Sequence, residues 1–287
     1  MCEVVVLLAT YNGQKYLREQ IDSVLNQTGV NVRLFVKDDV STDDTVKILE
    51  SYKNKGLLEY YVGEKNLGPA QTFLDLIFSS PTAEYYAFCD QDDVWSKEKL
   101  AVAIEAIGGT ERPCLYHGFA ARVNEALVEI PFTPYKIKHT LGSALVTSST
   151  GCTMVFNNSL MIILRSYRPR IVEMHDAWVY RVAYAMKAKV IYDQKSYIKY
   201  RQHDNNVSGG MMSFRDKLYR MLIINNKLRQ KTALELIEGF GPMLGDNERD
   251  LISLLAYYQL SLFKKIKLLF NKEISVYKWK TNVQYKI

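Results

Sequence analysis

The strongest constraint on the fold is an unbroken aliphatic run, Val4-Val5-Val6-Leu7-Leu8-Ala9. A strand with one wet face alternates apolar and polar residues, whereas a continuous run of this length suits a parallel strand covered on both sides. It ends at Thr10-Tyr11-Asn12-Gly13, after which Tyr16, Leu17, Gln20, Ile21, Val24 and Leu25 recur at helical spacing. A second strand, Val32 to Lys37, stops at Asp38-Asp39. Ser41 with Asp44 then fits a capping box for a helix whose core face is Val46, Leu49 and Tyr52, with Gly56 just past its end. Leu58 to Val62 forms a third strand, Asn66-Leu67-Gly68-Pro69 a turn, and Phe73, Leu74 and Ile77 mark a helix that ends before Pro81. Tyr85 to Cys89 is the fourth strand, and Leu100, Ala103, Ile104 and Ile107 line the helix behind it. Four strand–helix alternations with short connections predict an α/β fold with a doubly wound, mostly parallel sheet flanked by helices.

The fourth strand runs into Asp90-Gln91-Asp92-Asp93-Val94-Trp95. Three carboxylates within four residues repel one another unless a cation or solvent offsets them, and hard divalent cations such as Mg²⁺ or Mn²⁺ take oxygen ligands. The carboxyl end of a strand in an open α/β sheet is also where ligands bind. The competing reading is a solvated helix start capped by Asp93, with Trp95 and Lys97 in its first turn. Thr10 to Asn12 and Asp38-Asp39 stand at two further strand ends, and convergence of the three on one sheet edge outweighs any single motif.

The second half is less regular. Cys114 to Phe119 reads as a strand, and the stretch to Ser149 as a binding loop or lid. Thr150-Gly151-Cys152 precedes a strand at Thr153 to Phe156 and a helix at Ser159 to Leu164. His175-Asp176-Ala177-Trp178 opens a helix with Val179, Val182, Ala183 and Met186 on its apolar side. Val190 to Tyr192 and Ser196 to Arg201 are strand-like, and Arg201-Gln202-His203 leads into a polar loop. From Phe214 the pattern is helical and amphipathic, broken at Gly239 to Gly245.

The net charge of +6 over 287 residues belongs to the tail: residues 215–287 hold 14 Lys and Arg against 7 Asp and Glu, leaving 23 against 24 in residues 1–214. Apolar stripes at Leu218, Met221, Leu222 and Ile223, and from Leu251 to Phe270 beside Lys264, Lys265, Lys267 and Lys272, fit three outcomes: contact with an anionic bilayer, packing on the catalytic domain, or a homodimer seam. The absence of a basic stripe elsewhere argues against nucleic acid. Leu251 to Phe263 is too short and too interrupted to span a bilayer. Cysteines 2, 89, 114 and 152 show no paired spacing, which predicts a reducing compartment. With no basic leader before Val4, the expectation is a cytoplasmic protein, peripheral at the inner face of the cell membrane if the tail touches it.

The strand plus Thr10-Tyr11-Asn12, the Asp38-Asp39-x-Ser41-Thr42-Asp43 stretch, the Asp90-Gln91-Asp92 loop and His175-Asp176 together resemble the family-two inverting glycosyltransferases of the GT-A fold. The likeness covers about residues 3 to 210. The stretches around Asp90, Gly151, His175 and Arg201 look most like bacterial rhamnosyltransferases of polysaccharide synthesis. The resemblance implies a GT-A (Rossmann-like) mixed sheet over residues 1–210, with a nucleotide-binding half (1–109) and an acceptor half (110–210), followed by a helical extension (211–287). It further implies a nucleotide pocket of Thr10, Tyr11 and Asn12, with Tyr11 stacked on the base, Asp39 on its ring N–H and Asp90 near the ribose or a metal-bound water. Asp92 would bind Mg²⁺ or Mn²⁺ with Asp93 replacing or assisting it, Asp176 would be the general base, and Arg201 or His203, both expected on the nucleotide side, would add a second positive contact at the diphosphate. Gly151, Cys152, His175 and Trp178 would face the acceptor, a saccharide or lipid-linked sugar. His175 stands where the family often has Glu, and no Gln-x-x-Arg-Trp signature of processive members is found, which favours transfer of one sugar at a time.

Inverting transfer needs one proton acceptor and a stabilised leaving diphosphate. A glycoside hydrolase needs two carboxylates astride the bond and no nucleotide pocket. A dinucleotide-dependent oxidoreductase is disfavoured because Gly-x-Gly-x-x-Gly does not follow the first strand. A UDP-sugar donor in place of dTDP-rhamnose, and a non-catalytic nucleotide-sugar-binding scaffold, stand as the alternatives.

Overall fold

The computed structural model describes residues 1–132, 138–203 and 225–274. One eight-stranded sheet runs in the order β3-β2-β1-β4-β7-β6-β8-β5. Its strands are β1 (Glu3–Thr10), β2 (Asn31–Asp38), β3 (Glu59–Val62), β4 (Tyr85–Cys89), β5 (Val94–Trp95), β6 (Cys114–Val123), β7 (Val155–Asn157) and β8 (Lys189–Arg201). β1 pairs in parallel with β2 and β4, and β2 with β3, whereas β7 runs antiparallel to β4 and β6. The sheet is therefore mixed: parallel over the four predicted units and reversed at β7.

The aliphatic run of β1 divides its side chains between two cores. Val5 and Leu7 enter one with Tyr86 and Phe88 of β4, and Val4, Val6 and Leu8 enter the other with Tyr85, Ala87 and Cys89. The second core is closed by α1 (Leu17–Leu25), α2 (Thr45–Lys53) and α4 (Lys99–Ile107). The first is closed by α3 (Gly68–Ser79), α6 (Asn158–Arg165) and α7 (His175–Ala185), with the short α5 (Leu141–Ala144) at its edge. Strand alternation with both faces covered is why no polar position interrupts β1.

Several local expectations are corrected. Asp93 does not cap a helix: Val94-Trp95 forms β5, antiparallel to β8, and α4 starts four residues later at Lys99. Ser41 and Asp44 do not form a capping box, because the Ser41 hydroxyl donates to Asp38 Oδ1 at 2.6 Å and the Asp44 side chain caps nothing. The two strand-like pieces after Val190 are one strand, β8, irregular where it pairs with β6.

In the tail, α8 (Asn225–Phe240) and α9 (Asp246–Tyr257) send Leu236, Phe240, Ile252 and Leu255 into the same core as α3, α6 and α7, so these two helices pack on the α/β domain. The stripe at Leu218 to Ile223 and the boundary expected near 210 lie outside the described residues. The last described helix, α10 (Leu262–Phe270), buries only Leu268 among its described side chains.

Candidate active site

Register alone brings the polar strand ends together. In the sheet Thr10 stands beside Asp38 and Leu8 beside Cys89, so the loops after β1, β2 and β4 leave the same edge at the point where the strand order reverses. That reversal is where open α/β sheets hold ligands. Thr10 Oγ1 donates to Asp38 Oδ1 at 2.8 Å, and Asp38 also accepts from the Ser41 amide at 2.8 Å, so Asp38 is consumed in shaping the loop. Asn12 and Val40 take positive φ (48° and 66°), a tight geometry held by the Ser41 hydroxyl on the Asn12 amide and by the Asn12 side chain on the Thr42 amide. Asp39 is 3% exposed and accepts from the amides of Leu67 (2.9 Å) and Gly68 (2.8 Å), which joins the β2 end to the turn before α3.

Gln91, to which no role was given from sequence, clamps the first loop to the acidic one. Its Oε1 accepts from the Tyr11 amide at 2.8 Å and its Nε2 donates to the Tyr11 carbonyl at 2.9 Å. With its backbone so fixed, Tyr11 stands 47% exposed at the cavity edge.

The three acids of the loop separate. Asp90 and Asp92 line the cavity, whereas Asp93 is fully buried behind it and accepts from the Arg201 amide at 3.0 Å. Burial, then the charges of Asp92 and Asp176, push Asp90 up to about 7. Burial, then Asp92 and Asp90, push Asp93 well above the usual carboxylate range. Carboxylates in this condition are suited by a hard cation, and the donor set fits one: Asp90 and Asp92 offer oxygens at the cavity wall, and the Asp93 Oδ2 behind them is buried with no hydrogen-bond partner. The ligand atoms that converge within 4.8 Å of one another are those of Asp90, Asp93 and Cys152, with Asp92 outside that group, and burial holds the Cys152 thiol well above its ordinary value and thus protonated, a poor ligand for Mg²⁺ or Mn²⁺.

Asp92 Oδ2 is 2.8 Å from His203 Nε2. Arg201 does not reach the cavity. It is 2% exposed, donates from Nε to the Asp92 carbonyl at 2.8 Å, and uses its remaining nitrogens on the Glu125 carbonyl and the Glu19 carboxylate. The expected contact with the diphosphate is thus corrected: Arg201 holds the acidic loop from behind.

Asp176 sits in the first turn of α7 and lines the cavity beside Gly151. Burial raises it to about 6, opposed by hydrogen bonds from the backbone of Ala177 and Gly151. The fit at Gly151 is tight: a Cβ there would lie 2.8 Å from His175 Nε2 and 3.1 Å from Asp176 Cβ. His175 is stacked on Phe73 with ring centroids 3.8 Å apart and meets Phe88 edge-on at 4.8 Å. Burial drives it down to about 3, so it is neutral, and neither ring nitrogen has a hydrogen-bond partner.

The acceptor assignments are corrected at two positions. Trp178 is 1% exposed and packs against Tyr167 and Phe240, and Cys152 is 1% exposed behind the acidic loop; neither lines the cavity. The wall on that side is instead aromatic. Tyr192 stacks on His139 at 4.8 Å, His117 lies 5.1 Å from Tyr192, and the Ser149 hydroxyl is 2.6 Å from His117 Nδ1. Residue types gave no signal for this wall, because in sequence His117 is simply the fourth residue of a strand. Strand pairing of β6 with β8 sets His117 opposite Tyr192.

Thr10, Tyr11, Asn12, Asp39, Asp90, Asp92, Gly151, His175, Asp176 and His203 thus line one cavity of about 1770 Å³. That exceeds the roughly 300–1,000 Å³ of a site for one drug-sized ligand, and leaves room for a donor and an acceptor together.

A mixed sheet with this switch-point cleft and acidic loop is that of a glycosyltransferase of GT-A type, which works from a nucleotide-activated sugar. Residues 5–161 match the family described as Glycosyl transferase family 2, and the chain belongs to that family. Among its relatives is the dTDP-rhamnosyl transferase RfbG of Shigella flexneri, 27% identical over 80% of this chain and 83% of that one. The teichuronic acid biosynthesis glycosyltransferase TuaG of Bacillus subtilis, itself described as putative, is 29% identical over 53% of this chain and 60% of its own length. In structure the chain is similar to Staphylococcus aureus TarS in complex with UDP-GlcNAc (TM-score 0.63, 22% identity, 94% of this chain and 77% of that one). It is also similar to a mannosyltransferase from Pyrobaculum calidifontis in complex with GDP-Man and Mn²⁺ (TM-score 0.54, 16% identity, 92% and 82%).

Proposed function

We propose that the chain is an inverting transferase that moves one L-rhamnose from dTDP-rhamnose to a saccharide or lipid-linked acceptor in surface polysaccharide synthesis. The observation that carries the reading is that Asp39, Asp92 and Asp176, far apart in sequence, line a single cavity. The similarity to RfbG along most of both chains supports the rhamnose donor. UDP-GlcNAc in TarS keeps a UDP-sugar as the second reading.

In this reading Tyr11, anchored by Gln91, presents its ring to the pyrimidine, and Asp39, already oriented by two backbone amides, accepts the ring N–H. Asp92, with Asp90 beside it on the cavity wall, would hold Mg²⁺ or Mn²⁺. A cation bound there supplies positive charge to the leaving diphosphate. Arg201 fixes the backbone of the loop and His203 orients the Asp92 carboxylate. Asp176 takes the proton of the acceptor hydroxyl as that oxygen bonds to the anomeric carbon from the face opposite the departing diphosphate. A base near 6 is charged at neutral pH yet still basic enough to accept the proton. The aromatic wall of Tyr192, His139 and His117 receives the acceptor, since sugar C–H faces pack on rings.

The test is donor turnover with dTDP-rhamnose, UDP-glucose and UDP-GlcNAc, each with Mn²⁺ and with EDTA. Metal-dependent consumption of dTDP-rhamnose at least about tenfold faster than of either UDP-sugar supports the proposal. Preference for a UDP-sugar moves the donor to the second reading, and binding without turnover of any donor removes catalysis.

A further inference from the structure

The tail was given three readings from sequence, and the structure divides them by helix. α8 and α9 are spent on the core. α10 is not. Leu262 and Phe263 are each 74% exposed, Ile266 45% and Phe270 79%, with Leu260 just before the helix at 74%. At about 100° per residue these four helical positions fall within an arc of about 100°. Leu268, buried to 2% exposure, lies on the opposite side, so the apolar arc points away from the protein body.

Lys265 and Lys267 are exposed and flank the arc, one on each side, and Lys272 follows it. No Asp or Glu occurs from Leu251 to Lys272. Within the helix an apolar strip bordered by cations carries no acid, and the nearest acid in sequence, Glu273, lies beyond Lys272; this is complementary to a bilayer carrying anionic headgroups. A second protein copy would bring the same lysines into mutual repulsion.

The placement of α10 adds to this. The segment after it packs against the segment that leads to the acceptor side of the cavity: a Cβ on Gly142 of α5 would run into the Glu273 carbonyl, Lys138 Nζ donates to the Lys272 carbonyl at 3.4 Å, and Ile274 is 1% exposed. From the same segment His139, Ser148 and Ser149 line the cavity. Among the described residues no helix is long and apolar enough to cross a membrane.

We propose that α10 is a membrane-surface helix, with Leu262, Phe263, Ile266 and Phe270 seated at the headgroup–acyl boundary of an anionic bilayer and Lys265 and Lys267 on lipid phosphates. The docked orientation sets the acceptor side of the cavity beside the bilayer. The binding step does not depend on the donor or on the chemistry assigned to the cavity.

Vesicle co-sedimentation of the full chain tests it, with phosphatidylcholine alone and mixed with phosphatidylglycerol. The expected result is partitioning to the mixed vesicles at least about tenfold above the neutral ones, abolished by high salt. F263E/F270E loses that binding with an unchanged Tm. K265Q/K267Q loses about 25-fold, near fivefold per lysine, and keeps its fold. The proposal is overturned if the wild type does not bind mixed vesicles, or if F263E/F270E binds as the wild type does. It is overturned equally if sedimentation velocity shows a wild-type dimer that F263E/F270E splits, or if that variant's Tm collapses because the face is packed within the chain.

Discussion

Replacing His175 by Phe separates burial from chemistry at the centre of the site. The imidazole lies between Phe73 and Phe88, uncharged and with neither nitrogen hydrogen-bonded, and a phenyl ring keeps the stacking. Its folded-state value near 3 lies below the 6.5 of an unperturbed histidine, so the folded protein binds fewer protons there than the unfolded chain as pH falls. Stability from this site is therefore fully present above about 6.5 and is lost progressively down to about 3. At pH 5 the unfolded chain is protonated and the folded site is not, a difference of about 1.5 pH units or about 2 kcal/mol. Urea unfolding of wild type and H175F at pH 7 and pH 5 measures this directly. Other groups, including His117 and Asp90, titrate in both proteins and cancel in the comparison. H175F should lose about 2 kcal/mol less than wild type between the two pH values. An equal acid loss in both, within about 0.5 kcal/mol, would refute the claim that His175 is held neutral by burial.

Asp176→Asn should lower turnover by about 10²–10⁴ while calorimetry shows donor binding unchanged. Because the base must be deprotonated to act, kcat/KM of the wild type at saturating Mn²⁺, which keeps Asp90 deprotonated, should fall by half near pH 6 and about tenfold per unit below, an acid limb that disappears in the variant. Arg201→Met, which leaves two backbone carbonyls and the half-exposed Glu19 without their donor, should cost about 1–3 kcal/mol in thermal unfolding and weaken donor binding through the loosened loop; unchanged binding would show that the loop needs no support from behind.

The first half of the fold was legible because burial on both faces forces an aliphatic run at β1 and because helix periodicity follows each strand. From there, parallel register carries Thr10, Asp39 and Asp90 to one edge without further information. Roles that depend on direction were not legible. Asp92 and Asp93 are adjacent and chemically identical, but β5 pairs with β8 directly after them, and that pairing turns one toward the cavity and the other under it. Arg201 and Trp178 sit in motifs that point to a site, yet a long strand end and a helix's inner face use them for support. Ser41 and Asp44 matched a capping spacing, but Asp38 competes for the serine hydroxyl and wins. The aromatic wall at His117 and Tyr192 arises from pairing of β6 with β8, contacts more than 70 residues apart in sequence that no local pattern encodes.

The central claim is that one cavity holds a pyrimidine, a cation and a proton acceptor. A crystal structure with dTDP and Mn²⁺ tests it most directly. The account predicts the base within hydrogen-bond distance of Asp39 and Mn²⁺ coordinated by Asp92, with Asp176 open toward the aromatic wall. A nucleotide bound elsewhere, or in this cavity with the base turned toward Asp176, would contradict it.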